Sequence, residues 1–164
     1  MGVFSKTAVC NTGPLLGLAR ARLEWLPFRL FPKVLVPAAV ARELTCREAP
    51  DAERVRLALE AGSVVEDPAP IDPLLVAELD VGEAAVIAVA SLGGHVVILD
   101  ERKARKVATR VYGLPVKGTA GLLVQAKRLG LIPEVAAPIR NMLAGGYHLS
   151  NDLVAATLRE AGEV

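Results

Sequence analysis

Four residues carry the chemistry this sequence can offer: Asn11, Glu43, Glu83 and Asp100. Asp100 is the most telling, because the apolar run Val96-Val97-Ile98-Leu99 ends directly on it. Successive aliphatic residues read as a strand buried on both faces, as in a parallel sheet covered by helices. In such sheets ligands sit just beyond the carboxyl ends of the strands. Asn11 also follows a strand-like run that ends in Val9-Cys10. Glu83 falls in the first turn of a helix that is apolar almost all round, and Glu43 near the middle or end of the helix after the second strand. Carboxylates in apolar company must be paired, hydrogen-bonded or metal-bound, because burying a lone charge is expensive. Three carboxylates and an amide form an all-oxygen donor set, which favours Mg²⁺ or Mn²⁺ over zinc. One or two such ions can activate water against a phosphodiester. Each residue has a plainer role as well. Asn11 and Asp100 are candidate helix caps, Glu43 an exposed acid beside Arg42 and Arg47, and Glu83 a partner of the helix macrodipole.

Charge is unevenly distributed around this set. Net charge is +1, yet residues 101–128 hold eight Lys/Arg against one acid, a local +7 that leaves −6 on the remainder. Cations to hold a backbone beside acids to hold a metal suit a phosphodiester-handling site; the plainer reading is a solvated helix face. Arg102, Arg105 and Lys106 are the candidate contacts to such a backbone, with Thr119 added as the residue opening a later helix. Gly118-Thr119 is also a weak candidate phosphate site at that helix N-terminus.

The elements that must position these residues alternate. Residues 6–10 predict a strand. Asn11-Thr12-Gly13-Pro14 opens a helix whose apolar face runs through Leu15, Leu18, Leu23 and Leu26. Residues 34–36 predict a second strand, and Pro37 starts the helix that carries Glu43. A helix over 51–61 is stopped by Gly62, and residues 63–66 form a small strand. Prolines 68, 70 and 73 mark a loop. The buried helix over 82–92 ends at Gly93-Gly94. After Asp100 comes a helix with Ala104, Val107, Ala108 and Val111 at helical spacing and Gly113 as its C-cap. A strand over 114–116 and helices over 119–129, 138–144 and 151–161 complete the chain. Strands alternating with helices predict one α/β domain over residues 1–164, with a mainly parallel sheet.

Other chemistries are poorly supported. Cys10 and Cys46 match no metal-ligand spacing and read as reduced thiols. No Gly-x-Ser-x-Gly or phosphate-loop motif occurs. His95 precedes a strand, at the wrong sheet edge, and His148 sits in a Gly-Tyr-His loop; both read as satisfied or surface histidines. No signal peptide and no membrane-spanning run is visible, so a cytoplasmic protein is expected. A nucleotide-binding α/β domain using the same strand edge is a third, weaker reading.

An ordered set of motifs covers nearly the whole chain. It comprises Asn11-Thr12-Gly13-Pro14-Leu15, Val36-Pro37 with Glu43-Leu44, Leu79-Asp80-Val81-Gly82-Glu83-Ala84, and Ile98-Leu99-Asp100-Glu101-Arg102-Lys103-Ala104-Arg105. Val116-Lys117-Gly118-Thr119 and the terminal Ala161-Gly162-Glu163 follow. This order resembles the PIN-domain proteins, in a prokaryotic branch related to VapC-type toxins. The resemblance implies a three-layer α/β/α sandwich, an acidic Mg²⁺/Mn²⁺ site that cuts RNA, frequent homodimers and, for toxins, a small antitoxin partner. Glu43, Glu83 and Asp100 match the second to fourth acidic positions, and Asn11 stands where the family usually has its first Asp. Thr119 lies near a further polar position of the family. Asn keeps the shape of Asp without its charge, so weaker metal binding is expected. The alternative is a degenerate module that binds RNA or a protein partner without cutting.

Overall fold

A computed structural model describes residues 3–46, 50–60 and 62–164. The expected helix end at Ala61, and Arg47 beside Glu43, lie outside these residues. The strands are β1 (Ala8–Cys10), β2 (Val34–Pro37), β3 (Ser63–Val65), β4 (Val96–Ile98) and β5 (Val116–Lys117). All pairings are parallel, in the order β3-β2-β1-β4-β5. The three central strands are fully buried and the two edge strands are not, which explains why only the former are unbroken aliphatic runs.

Ten helices surround the sheet among the described residues: α1 (Thr12–Arg20), α2 (Leu26–Leu30), α3 (Ala38–Cys46), α4 (Pro50–Leu59), α5 (Pro73–Glu78), α6 (Val81–Gly93), α7 (Arg102–Lys106), α8 (Thr119–Arg128), α9 (Ala136–Ala144) and α10 (Asn151–Glu160). A π-helical turn, Val107–Val111, continues α7. Helix α6 lies against β1, β2 and β4. Eight of its 13 residues are buried, most of them Ala or Val, small enough for close approach to the sheet. Helix α1 packs on α3, α4, α8 and α9, and α10 packs on α8. The result is the α/β/α sandwich that the resemblance implies, built on the parallel sheet that the alternation of strands and helices predicts.

Topology creates the crevice. The chain builds β1, β2 and β3 in one direction, then returns to place β4 on the other side of β1. Connections leaving β1 and β4 therefore diverge, and an α/β sheet opens at such a reversal. In the register, Cys10 pairs with Ile98, and the Asn11 N–H donates to the Ile98 carbonyl at 3.2 Å. Asn11 and Asp100 thus emerge side by side at the carboxyl edge.

Several local expectations shift. The first helix ends at Arg20 rather than continuing through Leu26: Arg22 turns the chain in the left-handed region (φ 58°), and Pro27 starts a new helix. Pro37 closes β2 instead of opening α3, paired opposite Val65. The helix after Asp100 widens into the π turn, and Gly113 (φ 61°) lies just past its cap, Tyr112.

The terminal Ala161-Gly162-Glu163 motif has a structural task. The Glu163 carboxylate accepts from the Val135 and Ala136 N–H groups at 2.7 and 3.0 Å, at the start of α9, and from Lys127 Nζ at 3.0 Å. Lys127 Nζ also donates to the Ala161 carbonyl at 2.8 Å, which folds the terminus onto α8. Glu163→Ala leaves two helix-end N–H groups without their partner, a loss of about 1–2 kcal/mol. Urea unfolding checks this: the midpoint falls at unchanged m-value.

Candidate active site

The N-terminus of α6 organises one half of the site. Asp80 Oδ1 accepts the Glu83 N–H at 2.8 Å, and Glu83 Oε2 accepts the Asp80 N–H at 3.2 Å, a reciprocal capping box. Glu83 is only 7% exposed. Burial pushes its carboxyl above the usual range, and the nearby charges of Asp80, Glu101 and Glu43 add to the effect. Asn11 stands at the cap position of α1 but makes no capping contact. A methyl group on Gly82 would lie 3.1 Å from Asn11 Oδ1, 3.4 Å from Glu43 Oε2 and 3.6 Å from Asp80 Oδ1. Three oxygens, from α1's start, α3 and α6's start, therefore close in on Gly82. Glu43 is exposed on α3, and its Oε2 accepts from Thr12 Oγ1 at 3.0 Å. Arg42 beside it bonds Asp67 instead, at 3.2 Å.

Asp100 organises the other half. It is not the cap of α7, whose N-cap is Glu101, accepting from Ala104 N–H at 2.8 Å. Asp100 Oδ1 accepts the Thr119 N–H at 2.7 Å, the first amide of α8. Its Oδ2 accepts short hydrogen bonds from the Thr119 and Tyr147 hydroxyls. Burial and the Asp100 charge keep the Tyr147 phenol protonated well above its ordinary range. Burial, then the same charge, does the same to the Cys10 thiol, so Cys10 is inert beneath the site. Gly118 permits the close packing here: a methyl on it would stand 2.6 Å from Arg105 Nη1 and 3.0 Å from Asp100 Oδ1.

One cleft of about 790 Å³ joins both halves, with Asn11, Glu43, Glu83 and Asp100 all on its wall. Arg102 and Arg105 line it too. Arg105 Nη1 donates to the Leu99 carbonyl at 2.8 Å, which steadies the guanidinium beside the acids. Lys106 is exposed away from the cleft. Thr119 is fully buried behind Asp100 and gives both its donors to that carboxylate, so it supports the site rather than meeting a ligand. The same contact fills the helix end considered for a phosphate. His95 lies at the opposite sheet edge, against Gly93, whereas His148 is exposed on the cleft wall.

Two wall residues escape sequence reasoning. Asp80 was legible, because Asp-x-x-Glu ahead of an apolar run is a capping-box signature. Tyr147 was not: it lies 47 residues from Asp100, and nothing local marks it.

The donor set suits a hard cation: the three side-chain atoms nearest a methyl on Gly82 are all oxygens, two of them from carboxylates. Among the described residues, no three His, Cys, Asp or Glu side chains already stand as a preformed cage. Like charges repel without a counter-ion, and the raised Glu83 carboxyl registers that repulsion together with burial. Because the folded-state value is raised, the folded protein binds the proton more tightly. Stability then falls as pH rises from the ordinary 4.5 to the folded value, and stays lower above it. Glu83→Gln keeps an acceptor for the Asp80 N–H and removes the charge. Metal-free urea midpoints are expected to be higher for Glu83→Gln than for the parent at neutral pH, and to converge well below pH 4.5.

Among the described residues, no helix is long and apolar enough to cross a membrane. No curated protein matches the chain. The family model DUF3368, described as a PIN domain, matches residues 7–163, from just before β1 through the Glu163 clamp. The chain belongs to this PIN-domain family, whose fold is of the nuclease type.

Proposed function

We propose that the protein is a Mg²⁺- or Mn²⁺-dependent endoribonuclease. The observation that carries this reading is the meeting of Asn11, Glu43, Glu83 and Asp100 in one cleft at the β1/β4 reversal, with Arg102 and Arg105 on its wall. Glu43, Glu83 and Asp100 would hold the metal, with Asn11 as a neutral oxygen donor. The chemistry supplied by a bound divalent ion is activation of water and neutralisation of phosphate charge.

The chain's own groups do the rest. Arg105, braced on the Leu99 carbonyl, and Arg102, in the first turn of α7, bind the RNA backbone. Lys106 lies farther out and steers the approaching strand. Thr119 holds Asp100 in place.

Asn11 supports a second reading, a module that binds RNA or a protein partner without cutting, because the site lacks one of the charges its family usually carries. On the resemblance alone we extend the first reading to a cytoplasmic toxin that acts as a homodimer and is held by a small antitoxin.

Incubation with mixed single-stranded RNA and Mn²⁺ separates the two. The ribonuclease reading expects metal-dependent cleavage that drops at least a hundredfold in Asp100→Ala. No cleavage by the parent, with cleavage restored in Asn11→Asp, makes the binding module the correct reading. A second measurement probes the metal directly. Gly82→Ala inserts a methyl among the three oxygens, 3.1 Å from Asn11 Oδ1. Calorimetric Mn²⁺ affinity is expected to fall at least tenfold with an unchanged circular-dichroism spectrum.

A further inference from the structure

We infer that Tyr147 is a positioning residue for Asp100, holding Oδ2 so that Oδ1 is the oxygen presented to the cleft. This rests on the ribonuclease reading and adds to it how the fourth acidic side chain is aimed.

A carboxylate has about four acceptor directions, two on each oxygen. On Asp100, the Thr119 and Tyr147 hydroxyls take both on Oδ2, and the Thr119 N–H takes one on Oδ1. One direction remains, on Oδ1, the oxygen that shares the space over Gly118 with Arg105 Nη1. A carboxylate tied this way cannot rotate or chelate through both oxygens. It offers a single ligand of fixed direction.

The tyrosine is itself locked. Its ring lies flat against Gly17 of α1, where a methyl would stand 3.0 Å from three ring carbons. Its hydroxyl passes close to Gly13, where a methyl would stand 3.9 Å away. Two glycines on the first helix therefore make the slot through which a residue from the α9–α10 loop reaches the end of β4. A tyrosine needed only for packing would bury its ring and leave its hydroxyl in water. Here the hydroxyl is turned inward onto the carboxylate. The second tyrosine, Tyr112, shows the contrast: its hydroxyl bonds Asp72 at the start of α5, away from the cleft lining.

Tyr147→Phe keeps the ring in its slot and removes only the hydroxyl. For this variant kcat for RNA cleavage is expected to fall at least tenfold, with KM for RNA within threefold of the parent and an unchanged circular-dichroism spectrum. A kcat equal to the parent's, or equal losses in kcat and KM, overturns the proposal. A second readout needs no activity. The chain has two tyrosines, so their ring Cζ NMR signals are assigned by this same variant. In Asp100→Asn the Tyr147 signal is expected to move and that of Tyr112 to stay. An unmoved Tyr147 signal overturns the link even if the parent cuts RNA. A moved signal with a parent that cuts nothing upholds the link and overturns the ribonuclease reading instead.

Discussion

Carboxylates gathered at the carboxyl edge of a parallel sheet repel one another, Glu83 is also buried, and the local structure around the cleft is a set of answers to that strain. Asp100 is answered by three donors, two hydroxyls and the first amide of α8. Asp80 and Glu83 are answered by each other's backbone N–H groups, at the end of α6 where the helix dipole also favours negative charge. Glu43 is met by the Thr12 hydroxyl. What these contacts leave uncompensated is visible in Glu83, whose carboxyl is held above its usual range.

The same constraint explains the glycines. Gly82, Gly118 and Gly17 stand where a methyl group would press on site oxygens, on the Arg105 guanidinium or on the Tyr147 ring. None is a turn glycine with positive φ; each is a place where side chains from distant segments come closer than a Cβ allows. Space, not backbone freedom, is what those positions require.

Much of the fold was legible because it follows from short-range pattern. The aliphatic runs at Val9-Cys10 and Val96–Leu99 announced buried parallel strands, and the near-continuous apolar helix before Gly93-Gly94 announced α6. The boundaries that moved did so where proline or a left-handed residue acts against periodicity, at Arg22-Leu23, Pro27 and Pro37. In the site, residues at strand ends or helix starts were found, since those positions can be counted from the pattern. Lys106 and Thr119 shared the basic or polar character of their neighbours but not their direction, and direction is set by packing.

Sequence by itself determined that acids would stand at the carboxyl edge of a parallel sheet, beside a basic segment, because side-chain alternation and strand termini are local properties. Only the tertiary structure decided that β4 returns beside β1, bringing Asn11 and Asp100 to one crevice. It also decided that oxygens of Asn11, Glu43 and Asp80 would meet at Gly82, and that Tyr147 would reach from the α9–α10 loop to bond Asp100. Those contacts join segments tens of residues apart, and their geometry is fixed by how helices pack on the sheet, which no local spacing encodes.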